Sequence, residues 1–168
     1  MLDTLKIMYL NIGKRKQVQH SLLNDEGIQD FSLILSTEPH IYRHPTSHQP
    51  TVSPHRHWQM FCPTTHRADG TPHYAFRSII WAHQDCKATA IPVDSYDITA
   101  VTIQLQEKVL LAVACYDPHD AGTNQEKEEQ LAQRLALLQH TIHHVQESYP
   151  TQTVEVLIGA DLNRHNVL

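Results

Sequence analysis

Hydrophobic and polar positions divide this 168-residue chain into strand-length runs, one long polar middle and one extended helical stretch. The first run, 5–12, carries Leu5, Ile7, Met8, Leu10 and Ile12 and stops at Gly13, which predicts a strand followed by a short basic helix reaching Leu22 and Leu23. A second apolar run, 31–36, ends at Thr37-Glu38-Pro39, so Glu38 is expected at a strand tip in the extended geometry that a following proline favours. Order is expected to resume at 77–82. Residues 98–105 alternate Val101, Ile103 and Leu105 with Thr102 and Gln104, as in a strand with one buried face. Residues 109–115 are almost wholly apolar, as in a central strand covered on both faces, and the two runs form a hairpin through Glu107 and Lys108. Thr123 to Glu126 matches a capping box, and Leu131, Leu135, Leu138, Ile142 and Val145 follow at helical spacing. After Pro150 the run 154–158 predicts a last, buried strand leading to Asp161.

This alternation of strands and helices predicts an α/β (α+β) layered domain, a single unit over residues 1–168 with no internal repeat. Between Pro39 and Pro72 the pattern breaks down. That stretch holds six of the nine prolines along with His40, His44, His48, His55, His57 and His66, and it reads as a long surface loop. The chain does not open with a basic segment leading into an apolar one, and no apolar run approaches the roughly 20 residues of a membrane span. The expectation is an intracellular protein, nuclear or cytoplasmic, not secreted and with no membrane partner. Cys62, Cys86 and Cys115 form no CxxC pair, so neither a disulfide framework nor a cysteine zinc site is indicated. With neither an HExxH pattern nor a Cys/His knuckle, His140, His143 and His144 read as a solvated helix face, and His55 and His57 as loop residues. The net charge of −5 supplies no global attraction to nucleic acid, so a polyanion would be held locally, with Lys14-Arg15-Lys16 as the candidate patch.

The chemistry collects at predicted strand ends: Asn11, Glu38, Tyr116 and the pair Asp161 and Asn163. If the strands share one sheet system, these groups converge as carboxylates for a hard cation and neutral donors for a phosphate ester. Four segments, Leu10-Asn11-Ile12, Thr37-Glu38-Pro39, Cys115-Tyr116-Asp117-Pro118 and Gly159-Ala160-Asp161-Leu162-Asn163, resemble in order and spacing the signature elements of the endonuclease/exonuclease/phosphatase superfamily. Within it the chain is most similar to the endonuclease domains of fungal non-LTR retrotransposons, on Arg77-Ser78-Ile79-Ile80, Asp97-Ile98-Thr99-Ala100-Val101 and Asp161-Leu162-Asn163-Arg164-His165-Asn166.

The resemblance implies a layered β-sandwich of two mixed sheets flanked by helices. Glu38 would bind the divalent metal, Mg2+ with Mn2+ as the alternative, and Asn11 would order its waters or the phosphate oxygens. Asp161 would deprotonate the attacking water, while Asn163 and the Tyr116 hydroxyl would bind the scissile phosphate. Lys14, Arg15, Lys16, Arg77 and the His/Pro loop would contact DNA, with weak sequence preference. The implied activity is Mg-dependent nicking that leaves a 3′-hydroxyl for target-primed reverse transcription, beside a reverse transcriptase module in a parent polyprotein. The chain departs from the pattern in two places. Ala160 stands where the family has glycine, and the family's closing strands with their Asp-His pair fall beyond Leu168, which implies a C-terminally incomplete domain with an exposed sheet edge for self-association. His165 is expected to shape a loop rather than replace that histidine. Two alternatives stay open: an inactive retroelement remnant and a phosphomonoesterase of the same superfamily.

Overall fold

A computed structural model describes residues 4–63, 75–118 and 123–163, which form an α+β sandwich of two mixed four-stranded sheets. The first sheet contains β1 (Ile7–Asn11), β2 (Leu33–Thr37), β5 (Trp58–Phe61) and β6 (Ser78–His83), in the order β1-β2-β6-β5. The second contains β7 (Ala88–Ile91), β8 (Ile98–Gln104), β9 (Lys108–Tyr116) and β10 (Thr153–Asp161), in the order β10-β9-β8-β7. The remaining strands, β3 (Tyr42–Arg43) and β4 (Pro50–Thr51), make a small separate hairpin.

Each sheet follows one plan. A parallel pair is joined through a helix, and two antiparallel strands complete the sheet. In the first, β1 runs parallel to β2 through α1 (Lys16–Asn24); in the second, β9 runs parallel to β10 through α2 (Asn124–Ser148). A helical crossover between parallel strands brings both C-terminal ends to one edge, where open sheets of this kind bind ligands. Between the sheets lie Leu33, Leu35, Ile80, Val101, Ile103, Ala112 and Ala114, all nearly inaccessible. A second cluster, with Ile34, Ile79 and Trp81, lies under α1, and a third, with Ile98, Leu111 and Val113, lies under Leu138 and Val145 of α2.

The predicted hairpin forms with Ile98 opposite Cys115 and Gln104 opposite Val109, and the Leu105 amide donates to the Lys108 carbonyl to close its turn. The capping box is also present, the Thr123 side chain accepting from the Glu126 amide while Glu126 accepts from the Thr123 amide. Several expectations are corrected. The segment from Pro39 is not one long loop, because Met60 and Phe61 pair with Trp81 and Ile80 and bring β5 into the first sheet. The expected buried strand before Asp161 is instead an exposed sheet edge, with Val156, Leu157 and Ile158 at 38–42 % accessibility. On α2 the buried stripe runs through Leu131, Arg134, Leu138, Thr141 and Val145, so Leu135 points outward at 49 % accessibility and Arg134 takes the inward place. Among the described residues no helix is long and apolar enough to cross a membrane.

Candidate active site

The five candidate groups at strand ends meet where the C-terminal ends of both parallel pairs come together. Asn11 closes β1 and Asp161 closes β10, and the Asn11 Nδ2 donates to Asp161 Oδ2 at 2.5 Å. Glu38 follows β2 and Tyr116 closes β9, and the Tyr116 hydroxyl donates to Glu38 Oε1 at 3.2 Å. Both bonds cross from one sheet to the other. Asn163 completes the group: its backbone amide donates to Asp161 Oδ1 at 3.2 Å, and its side-chain nitrogen donates to the Asp117 carbonyl at 2.9 Å.

The backbone here is held in conformations that non-glycine residues seldom adopt. Four non-glycine residues have positive φ among those described, and three of them are Lys14 (60°), Glu38 (47°) and Asn163 (45°) at this site. Glu38 is therefore not in the extended geometry expected before Pro39. Its amide donates to the Arg77 carbonyl and its carbonyl accepts from the Lys14 amide, both at 2.8 Å, and these two bonds hold the turn against the local preference. Gly13, with φ of 60°, lets the chain double back so that its amide donates to Asn11 Oδ1 at 2.7 Å.

Tyr9 supports the site from below and was missed in the sequence. Its hydroxyl hydrogen-bonds Thr37 Oγ1 at 3.0 Å, and burial, more than the charges of Asp161 and Glu38, pushes its pKa up. β10 passes over the Tyr9 ring at Gly159, where an added Cβ would lie 2.5 Å from a ring carbon. The close approach is thus at Gly159, and the exposed Ala160, which stands where the resemblance leads one to expect glycine, leaves the Asn11–Asp161 contact in place.

Tyr116 is pushed up to about 12, first by desolvation and then by the Glu38 carboxylate, so it stays a hydrogen-bond donor at any physiological pH. Lys14 Nζ lies 3.5 Å from Glu38 Oε1, and exposed Arg15 and Lys16 follow at the start of α1. Arg77 differs from these three. Its guanidinium grips Asp97 with Nε on Oδ1 and a terminal nitrogen on Oδ2, and it stacks over the rings of Tyr96 and Tyr116 at 4.7 and 5.3 Å. His57 stacks on His83 with ring centroids 6.4 Å apart, and the His55 ring lies tilted against His57 at 5.6 Å. His66 and His165 lie outside the described residues.

Glu38 and Asn11 offer hard oxygens from adjacent strand ends. Among the described residues Tyr116 and Lys14 engage Glu38 Oε1 and the Gly13 amide donates to Asn11 Oδ1, which leaves Glu38 Oε2 and one lone pair of Asn11 Oδ1. Among the described residues no three His, Cys, Asp or Glu side chains form a cage for an ion. One carboxylate, one amide oxygen and water is nonetheless a donor set that suits Mg2+, which keeps several waters and dispenses with an all-protein cage.

No protein-family model and no curated protein matches the chain by sequence. Solved structures do match in three dimensions. The endonuclease domain of TRAS1, a telomere-specific non-LTR retrotransposon, has a TM-score of 0.61 at 17 % identity over 97 % of this chain. A β-hairpin deletion mutant of Staphylococcus aureus beta toxin has a TM-score of 0.57 at 11 % identity over 98 % of this chain, and the human Nocturnin catalytic domain 0.50 at 15 % over 92 %. The chain spans 61 % of the TRAS1 domain, 69 % of the beta toxin mutant and 58 % of the Nocturnin domain. With its two mixed sheets and a polar site where their parallel pairs end, the chain shares the fold of the TRAS1 endonuclease domain and of the beta toxin mutant.

Proposed function

We propose that the chain is a divalent-metal-dependent DNA endonuclease that hydrolyses a phosphodiester in one strand. The observation that supports this most is the convergence of Asn11, Glu38, Tyr116, Asp161 and Asn163 through hydrogen bonds that cross between two sheets. Glu38 and Asn11 would hold Mg2+ or Mn2+. Bound there, the cation would supply positive charge to the phosphate oxygens.

The protein's own groups carry the rest. Asp161 accepts a proton from the attacking water, whose oxygen bonds to phosphorus as the bond to the 3′-oxygen breaks, and the departing 3′-oxygen takes a proton from solvent to leave a 3′-hydroxyl and a 5′-phosphate. The Asn11 amide on Oδ2 at 2.5 Å and the Asn163 backbone amide on Oδ1 at 3.2 Å fix the orientation of the Asp161 carboxylate toward the water. The Asn163 side-chain amide donates its second hydrogen to a phosphate oxygen as charge builds on it, and the Tyr116 hydroxyl would exchange its bond to Glu38 for one to the phosphate. The exposed turn Lys14-Arg15-Lys16 lies beside Glu38 and suits contacts to the flanking phosphates, so binding should weaken as salt rises. DNA, rather than a small phosphate ester, is favoured by this basic turn and by the likeness to a retrotransposon endonuclease domain. Nicking for target-primed reverse transcription is the corresponding role.

The test is nicking of supercoiled plasmid by the purified chain with Mg2+ or Mn2+, beside EDTA and beside release of phosphate from p-nitrophenyl phosphate. Metal-dependent nicking without monoester hydrolysis supports the reading. Monoester hydrolysis without nicking would move the substrate to phosphomonoesters, and neither activity from a folded sample would refute it.

A further inference from the structure

We infer that a largely buried chain of four charged residues, Arg77-Asp97-Arg134-Asp117, is the positioning device that locks the two halves of this site together. The inference rests on the proposed phosphodiester chemistry for its catalytic consequence, but its structural content is independent of it.

Each member comes from a different part of the fold. Arg77 precedes β6 in the first sheet, Asp97 precedes β8 in the second, Arg134 lies on α2 and Asp117 follows β9. Asp97 is the node. It takes two hydrogen bonds from Arg77 and lies 3.6 Å from Arg134 Nε, while Arg134 donates from its terminal nitrogen to Asp117 Oδ1 at 2.6 Å. The side chains of Asp97, Asp117 and Arg134 are 5, 3 and 12 % accessible, so these charges are out of water. Arg77, at 21 % accessibility, keeps some contact with water; burying the other three ionised groups is costly, and the arrangement is poor evidence for stability as such. Fixing a geometry is the better account.

What the chain fixes is the backbone that bears the site. On one side, the Arg77 carbonyl receives the Glu38 amide, and its guanidinium stacks against the Tyr116 ring. The Asp97 carbonyl receives the Tyr116 amide at 2.9 Å. On the other side, the Asp117 amide donates to the Asp161 carbonyl at 2.8 Å, and the Asp117 carbonyl receives the Asn163 side chain. Arg134 joins the sides, since its planar fork reaches Asp97 and Asp117 at once. A lysine ammonium would retain the charge and lose this two-point geometry. Arg134 is a positioning residue acting through Asp117, and Arg77 belongs to the same device.

The experiment compares the wild-type chain with Arg134→Gln and Arg134→Lys by backbone hydrogen exchange and by metal-dependent nicking. In Arg134→Lys the Tyr116 and Asp117 amides should exchange about tenfold faster, while Val101 and Ala112 in the middle of β8 and β9 keep wild-type protection. Nicking kcat should fall about tenfold with KM for DNA within about twofold, and more in Arg134→Gln, because misplacement rather than lost binding is the defect. Should Arg134→Gln not fold, Arg134→Lys decides alone. Unchanged exchange at Tyr116 and Asp117, or equal acceleration throughout β8 and β9, would overturn the inference. Inactivity of the wild-type chain would sink the nuclease reading, while the exchange data would still decide whether Arg134 holds the site.

Discussion

The two sheets share a plan and differ in what they deliver. Each has a parallel pair joined through a helix, and each presents the C-terminal ends of that pair to the same edge of the sandwich. The first sheet brings Asn11 and Glu38, with Lys14 beside them; the second brings Tyr116, Asp161 and Asn163. On the proposed mechanism the first sheet holds the cation and the second holds the base and the phosphate donors. Division of the site between two frames explains why ties across the sheets are so numerous at this end, from Asn11–Asp161 and Tyr116–Glu38 to the buried Ser78–Thr99 hydroxyl pair. On that mechanism neither sheet alone contains a working set.

This division makes Glu38→Gln and Asp161→Asn distinguishable. Glu38→Gln should lower nicking by about 10^3-fold, the equivalent of several kcal/mol of cation stabilisation, and should also abolish Mg2+ binding by calorimetry. Asp161→Asn should lower nicking by a similar factor of about 10^3, as expected for loss of a general base, yet leave Mg2+ affinity nearly intact. Equal loss of Mg2+ affinity in both variants would erase the proposed difference between the sheets.

Tyr116→Phe should cost about 10^2-fold in kcat, the scale for one lost donor to a developing oxyanion, with little change in KM. Tyr116 also predicts a pH effect. Its folded pKa of about 12 exceeds the ordinary value of 10, so the folded state binds the extra proton between those limits. Its contribution to stability is therefore complete below pH 10 and is lost as pH rises toward 12. Ultraviolet titration of tyrosinate should show a late-ionising component that Tyr116→Phe removes. Last, Gly159→Ala should destabilise the chain by about 1–3 kcal/mol in urea denaturation, because its methyl would overlap the Tyr9 ring. A Gly159→Ala protein as stable as wild type would mean that β10 rides freely over the first sheet.

Much of this was legible in the sequence because it is local. The β8–β9 hairpin, the capping box of α2 and the strand ends at Asn11, Glu38, Tyr116 and Asp161 all announce themselves within a few residues. What was hidden depends on partners far along the chain. β5 lies in a proline- and histidine-rich stretch whose apolar content is low, and only its pairing with β6 makes it a strand. Glu38 adopts positive φ because Arg77 and Lys14, 39 and 24 residues away in sequence, capture its amide and carbonyl. Leu135 fits the helical spacing as well as Arg134 does, and only two buried carboxylates decide which faces inward. An arginine in phase with an apolar stripe was the signal available. Arg77 likewise reads as a surface cation until Asp97 is seen beside it.

The most direct measurement of the central claim, that one site is assembled from both sheets, is a double-mutant cycle in plasmid nicking between Asn11→Ala on the first sheet and Asp161→Asn on the second. If Asn11 acts on catalysis by aiming the Asp161 carboxylate, the double variant at saturating Mg2+, where its share in holding the cation no longer limits the rate, should nick within about threefold of Asp161→Asn alone, because residues acting as a unit are not additive. Losses that multiply in the double variant would show two independent contributions and contradict the shared site.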